Sequence, residues 1–253
     1  MHTAVIAEIG SAWRFGDWHL ENAYRAIDIA KDCGADIVKF QYCSDPRTME
    51  QRRNVQEGSY EILAWPKEWI GLIHGYAESV GIEFMCTVFL PGDVAIMNPY
   101  VKRWKVASLE HADVSLLSAM VKTGKPVFVS CGAEKYESPF REVQSLHCTA
   151  AYPAPLSELN LLAISNYEYD GYSDHSCNIM TGALAVACGA AVVEVHFSLW
   201  DTPEDNPDYG HSLSPVKFRK YIGNIRQAEL MLGDGIKKIQ PSEEWALKHK
   251  VKA

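Results

Sequence analysis

Short apolar runs alternate along the chain with stretches in which apolar residues return every three or four positions, and a glycine closes most of the latter. The runs at 4–10, 35–41, 83–89, 104–110, 126–130, 145–149, 169–173 and 191–197 read as strands, since strands buried on both faces are short and almost continuously apolar. Between them, Leu20, Ala23, Tyr24 and Ile27, then Trp69, Leu72, Ile73 and Tyr76, then 116–121, then Met180, Ala183, Leu184 and Ala187 predict helices with one buried face. Gly34, Gly81, Gly124 and Gly189 supply their stops. A helical segment is expected over 155–162. A last helix opens at Ser214-Pro215, with Ser214 as capping hydroxyl, carries Phe218, Tyr221, Ile222 and Ile225 on its buried stripe, and ends at Gly233 and Gly235. Segments 11–17, 43–60 and 201–210 read as loops, the last able to lie across a rim, and 133–143 is long enough for only one or two helical turns. Strand, helix and glycine recur about eight times, the pattern of a single-domain parallel (β/α)8 TIM barrel over 1–235 with a shortened fifth connection. Residues 236–253 form a tail, expected as an extended arm and a short helix.

Several of the apolar runs contain groups that are costly to bury. Glu8 interrupts the first, and Lys39 and Gln41 share one face of the second by period-two alternation. Lys105, Ser108 and Glu110 interrupt the fourth, and Ser130 and Ser173 stand at the exits of the fifth and seventh. His175 and His196 stand at or near the exits of the last two, with Asp174 and Glu194 beside them. In a parallel barrel all strand exits converge on one rim, so side chains about twenty residues apart can share a metal ion. Each histidine taken alone equally fits a hydrogen-bonded structural residue, and each lysine or serine a snorkelling side chain or a turn cap.

Composition narrows the partners. At 253 residues with 47% hydrophobic and 22% charged content, the chain suits one soluble barrel with a large core. A formal net charge of −8 argues against a general nucleic-acid surface, while leaving room for a local site for a small anion. Seven scattered cysteines, an odd number lying mostly in apolar runs, fit reduced side chains and a cytoplasmic location. The opening residues lack the pattern of a signal peptide, and no run reaches the length of a membrane span.

Gly-Tyr-Ser-Asp-His at 171–175, Glu-Val-His-Phe at 194–197, Leu-His-Cys-Thr at 146–149 and Ala-Glu-Ile-Gly at 7–10 together resemble the catalytic barrel of the sialic acid synthase family. The resemblance runs in order from the first strand to about Gly233. It implies condensation of phosphoenolpyruvate with an aldehyde-bearing amino sugar such as N-acetylmannosamine, giving a nonulosonate-type 2-keto acid and phosphate. It also implies a divalent metal, typically manganese with magnesium or cobalt as alternatives, held by His175 and His196. Lys105, Ser108, Ser130 and Ser173 match phosphate-binding positions, and Lys39 and Gln41 match positions near phosphoenolpyruvate and the aldehyde. Glu8, Thr87, Glu110, Tyr152 and Asp208 match further active-site positions, with Glu110 as candidate base for the water, Glu8 as a second carboxylate, and Lys39 and Asp208 in catalytic roles.

The departures from the family pattern fall on the acceptor side. The loop after the first strand is Ser-Ala-Trp-Arg-Phe-Gly at 11–16, Ala150 follows Thr149, Val195 precedes the second histidine, and Tyr209 follows Asp208 where a histidine is usual. The family's small antifreeze-like domain, which donates an arginine to a partner's sugar site, is not expected in this chain. The acceptor contact is therefore expected from Arg14, from the arginines at 47, 52 and 53, or from a separate partner chain or homodimer. The same histidine pair also suits a barrel aldolase or hydrolase, or a non-catalytic protein that binds a sugar phosphate or a partner.

Overall fold

The computed structural model describes residues 2–17, 20–133, 138 and 140–251. All eight expected strands form: β1 (Ala4–Gly10), β2 (Ile37–Tyr42), β3 (Glu83–Val88), β4 (Trp104–Val106), β5 (Val127–Cys131), β6 (Val143–Cys148), β7 (Gly171–Asp174) and β8 (Val192–His196). They are parallel and lie in the order β3-β2-β1-β8-β7-β6-β5-β4. β3 and β4 stand side by side and bring the ring round, without a hydrogen-bonded ladder between them among the described residues. The helices are α1 (Leu20–Cys33), α2 (Pro46–Arg53), α3 (Glu68–Val80), α4 (Pro91–Met97), α5 (Val114–Val121), α6 (Ala163–Asn166), α7 (Thr181–Ala187), α8 (Pro215–Leu232) and α9 (Glu244–His249). None among the described residues is long and apolar enough to cross a membrane.

Period-two alternation sorts each strand into an outward and an inward face. Val5, Ala7, Ile9, Val38, Phe40, Cys86, Val88, Val127, Val129, Val193 and Val195 belong to the main apolar cluster, which the helices cover. The opposite faces supply a separate, smaller cluster, Ile6, Ile37, Met85, Phe128, Leu146 and Val192, which plugs the barrel interior. Two residues further along the same strands the inward positions become Glu8, Lys39, Thr87, Ser130 and Glu194. An apolar floor therefore carries a polar layer directly above it. Gly171 permits the ring to close tightly at β7, since a Cβ there would stand 2.3 Å from the Val192 carbonyl oxygen.

The structure corrects several local expectations. The segment 43–60 is not simply a loop, because Asp45 caps α2 by accepting from Thr48 N at 3.1 Å, Pro46 occupies the first turn, and Asn54 ends the helix in the left-handed region. β4 stops at Val106, and Ser108 and Glu110 lie on the 3-10 turn that follows it rather than in the strand. In α3 the buried residues are Ile70, Ile73 and Ala77, while Leu72 faces solvent. In α7 they are Thr181, Gly182, Ala183, Ala185 and Val186, while Met180, Leu184 and Ala187 are exposed. Small residues face inward there because α8 lies close: a Cβ on Gly182 would meet the Tyr221 ring at 2.5 Å. The helical segment expected over 155–162 is a 3-10 turn at Leu156–Glu158, and the helix itself, α6, starts only at Ala163. Ser214 precedes α8 without a side-chain capping bond, leaving Pro215 to set its first turn. Within the fifth connection, residues 134–137 and 139 lie outside the described residues.

Candidate active site

The polar layer opens into a cavity of about 310 Å³ at the carboxyl ends of the strands. Ten residues singled out from the sequence line it: Lys39, Gln41, Lys105, Ser108, Ser130, Tyr152, Ser173, His175, His196 and Asp208. They come from six strands and the loops after them, so the ring closure itself gathers groups separated by up to 169 positions. The other three stand behind that lining. Glu8 pairs with Lys39 and accepts from Gln41 Nε2 at 2.9 Å. Thr87 accepts from Lys39 Nζ at 2.9 Å. Glu110 pairs with Arg53, which does line the cavity.

Glu194 organises the layer. Its Oε1 lies 3.5 Å from Lys105 Nζ and its Oε2 lies 3.6 Å from Lys39 Nζ, so one carboxylate spans both ammonium groups. Ser173 donates to it at 3.0 Å, and Lys105 also donates to Ser130 Oγ at 2.6 Å and to the Val106 carbonyl at 2.8 Å. Burial opposes ionisation of Glu194, but Lys105 and Lys39 outweigh it and hold this carboxyl well below its usual range. Glu8 goes the other way. Burial, with repulsion from Glu194, raises it to about 7 although Lys39 pulls it down. Lys39 is likewise opposed by burial yet held above its usual value by Glu194 and Glu8, whereas burial lowers Lys105. The two neighbouring carboxyl groups are thus shifted in opposite directions, Glu194 toward its anion and Glu8 toward its protonated form.

The imidazoles occupy the adjoining side. His175 Nδ1 bonds the Thr149 carbonyl at 2.9 Å, which fixes the ring and leaves Nε2 as its acceptor. The His175 and His196 ring centroids are 5.6 Å apart, and the Tyr152 ring lies 4.3 Å from that of His175. Burial lowers both histidines, which keeps the rings neutral and their lone pairs available. Asp208 comes from the 201–210 loop, held by Ser11 N at 2.6 Å and by the Ser11 hydroxyl. Gly10 makes this approach feasible: its φ is +52°, and a Cβ there would lie 2.5 Å from Asp208 Oδ2.

Asp174 turns away from the cavity. It accepts from Ser176 N at 2.8 Å and Tyr221 OH at 2.9 Å and also bonds Thr181, so it locks the end of β7 onto α7 and α8. Among the arginines considered for the acceptor side, Arg47 pairs with Glu57 and Arg52 with Asp113, while Arg14 is buried against Trp13 and donates to the Ala64 carbonyl. Arg53 alone of the four lines the cavity. His211 lines it too, although Tyr209, which stands where a histidine was expected, does not. The signal for His211 was the Asp-x-x-His spacing, because residues three apart eclipse on a 3-10 turn and Tyr209–His211 is such a turn.

The donor set suits a divalent ion. The buried Nδ1 of His196 has no hydrogen-bond partner, and a lone pair left bare in a dry site is costly unless something occupies it. Charge points the same way: Lys39, Lys105 and Arg53 face Glu8, Glu110, Glu194 and Asp208, so the side chains alone do not balance an incoming phosphate and carboxylate.

A parallel β/α barrel with buried lysines, hydroxyls and imidazoles converging above its floor is a small-anion enzyme scaffold. The chain belongs to the NeuB family, whose model matches residues 26–237. It is 31% identical to N,N'-diacetyllegionaminic acid synthase of Campylobacter jejuni, covering 96% of this chain and 81% of that protein. It is 30% identical to human N-acetylneuraminate-9-phosphate synthase, covering 94% and 74%. The crystal structure of N-acetylneuraminic acid synthetase from Leptospira borgpetersenii, solved with citrate, superposes with a TM-score of 0.82 at 28% identity over 98% of this chain and 91% of that one. The resemblance to sialic acid synthases and the barrel expected from the sequence both hold, and the chain is an enzyme of the synthase type.

Proposed function

We propose that this protein condenses phosphoenolpyruvate with the aldehyde of an open-chain amino sugar, of the N-acetylmannosamine type, to give a nonulosonate-type 2-keto acid and inorganic phosphate. The observation that carries the reading is the Lys39–Glu194–Lys105 arrangement, ringed by hydroxyls and set beside two imidazoles in one cavity.

Lys105, Ser130, Ser108 and Ser173 line the cavity and receive the phosphate, replacing its hydration with charge-assisted hydrogen bonds. Lys39 and Gln41 face the carboxylate and the incoming aldehyde. Carbon 3 of the enol ester supplies the electron pair for the new carbon–carbon bond, and the aldehyde oxygen gains a proton. Water then adds at carbon 2, and the carbon–oxygen bond to phosphate breaks with loss of the water's protons, leaving the ketone. Glu8 sits one side chain behind Lys39, so protons given to the aldehyde oxygen from the Lys39 ammonium are restored from Glu8. Glu110, just behind the lining, holds Arg53 at the mouth, where the guanidinium meets the acceptor sugar, and its carboxylate is the base that takes the water's proton. His175 and His196 are the imidazoles offered to a divalent ion, manganese or alternatively magnesium or cobalt. When bound there, such an ion polarises the aldehyde carbonyl.

The test is release of inorganic phosphate from phosphoenolpyruvate by chelator-stripped protein, with metal ion and aldose added singly and together. Release only with both supports the reading. Release without an aldehyde, or at full rate under chelation, contradicts it.

A further inference from the structure

Residues following β2 and β3 build a unit of their own at the mouth of the cavity. Cys43, Met49, Tyr60, Leu63, Phe89 and Leu90 form an apolar cluster separate from both the barrel floor and the helix-covered core. Tyr60, Leu63 and Phe89 also line the cavity, as Arg53 does. Lys39, Lys105, Ser130 and Ser173 belong instead to the strands β2, β4, β5 and β7. The cavity is therefore supported from two places, one under the groups assigned to phosphoenolpyruvate and one under Arg53.

Glu50 joins the parts of the second support. It stands one helical turn before Arg53 on α2, at 4% exposure, and its Oε1 accepts from Tyr60 N at 2.8 Å. A buried carboxylate is costly without such a partner. The bond fixes Tyr60 just ahead of the 3-10 turn Glu61–Leu63. The Tyr60 ring, edge-on to Phe89 with centroids 5.6 Å apart, then lies 5.5 Å from the Arg53 guanidinium carbon, and Glu110 pairs with the same guanidinium. An arginine side chain has much rotamer freedom to lose, so an aromatic platform and an ion pair decide whether its remaining donors stay aimed into the cavity. Glu50 itself stands outside the cavity lining.

We infer that Glu50 is a positioning residue for the acceptor: by holding Tyr60 against Arg53 it keeps the guanidinium aimed at the sugar, without touching either substrate. The inference rests on the proposed function, in which Arg53 meets the acceptor. Because the two supports are separate, losing Glu50 affects the acceptor and spares phosphoenolpyruvate.

The test is steady-state phosphate release by the full chain with Mn2+, varying N-acetylmannosamine and phosphoenolpyruvate in turn. Glu50→Ala is expected to raise the KM for N-acetylmannosamine at least about tenfold, while that for phosphoenolpyruvate moves less than about twofold. Glu50→Gln, whose carbonyl still accepts from Tyr60 N, is expected to stay within about threefold of the native protein. Adding Glu50→Ala to Arg53→Ala should cost less than about twofold more, since the first acts through the second. Circular dichroism checks folding, and Tyr60→Leu, which removes the ring and keeps the backbone bond, must give the same split between the two KM values. Phenylglyoxal labelling of Arg53, read by peptide mass, needs no turnover and should be faster in Glu50→Ala than in the native protein or Glu50→Gln. Equal rises in both KM values, Glu50→Gln as damaged as Glu50→Ala, additive losses in the double variant, or equal Arg53 labelling in Glu50→Ala and the native protein overturns the inference. Failure of the function is read separately. No phosphate release by the native protein removes the proposed reaction while the labelling still decides whether Glu50 holds Arg53, and release with an acceptor KM indifferent to Glu50 leaves the reaction standing and removes the positioning role.

Discussion

The lower and upper halves of the barrel interior are built from the same strands with the same period of two, yet they are chemically opposite. Ile6, Ile37, Phe128 and Val192 fill the lower half, and Glu8, Lys39, Ser130 and Glu194, each two residues further along, fill the upper. The lower half gains stability from burial of apolar surface. The upper half pays desolvation for buried charges and recovers it only where every partner is in place. The floor keeps water from beneath the charged layer, which strengthens each interaction above it. The contrast assigns stability to one layer and chemistry to the other, and mutations should separate them.

The largest effect is expected in the upper layer. Lys105→Met removes the ammonium that bonds Ser130 and one of the two facing Glu194, and should lower kcat/KM for phosphate release by about a thousandfold, with the circular dichroism spectrum retained. Next comes the floor. Phe128→Ala should cost about 3–5 kcal/mol in urea unfolding while the folded fraction keeps its kcat within a few fold. Equal loss of stability and turnover in both variants would erase the distinction between layers.

Gly10→Ala sharpens the boundary, since its Cβ must displace the Asp208 carboxylate and hold a strained φ. An activity loss of roughly 10–100-fold is expected, with a stability loss of about 1–2 kcal/mol. The smallest effect concerns pH. Because Glu8 is raised to about 7, it is protonated below that value and ionised above it, so turnover should decline as pH rises through about 7, and Glu8→Gln should lose that limb. The linked stability has the same sign: a carboxyl raised above its ordinary value favours folding most at low pH and loses that contribution as pH rises through about 7. Melting temperature against pH in the native protein and Glu8→Gln checks it.

The ring of strands was legible because buried parallel strands are short apolar runs, and the polar layer because Glu8, Lys39 and Lys105 interrupt them where burial is costly. Side-chain direction was less so. Met180 and Leu184 look like a helix stripe, but α8 approaches so closely at Gly182 that only small residues fit the buried face. Asp174 and Glu194 look equivalent beside their histidines, yet Asp174 bonds Tyr221 behind the strand whereas Glu194 faces the lysines. His211 escaped notice because it follows no apolar run and reaches the cavity only through a 3-10 turn anchored by Asp208. Asp45-Pro46 and Asn54 marked α2, but its polar sequence hid the helix.

The most direct test of the upper layer's chemistry is to follow the bridging oxygen of phosphoenolpyruvate. With that oxygen labelled as 18O, and with metal ion and an N-acylated hexosamine present, the label should leave in inorganic phosphate while a condensed 2-keto acid appears at the summed mass of phosphoenolpyruvate, aldehyde and water less phosphoric acid. Unlabelled phosphate accompanied by pyruvate, the outcome of cleavage at phosphorus, would contradict a carbon–carbon bond-forming role for this site.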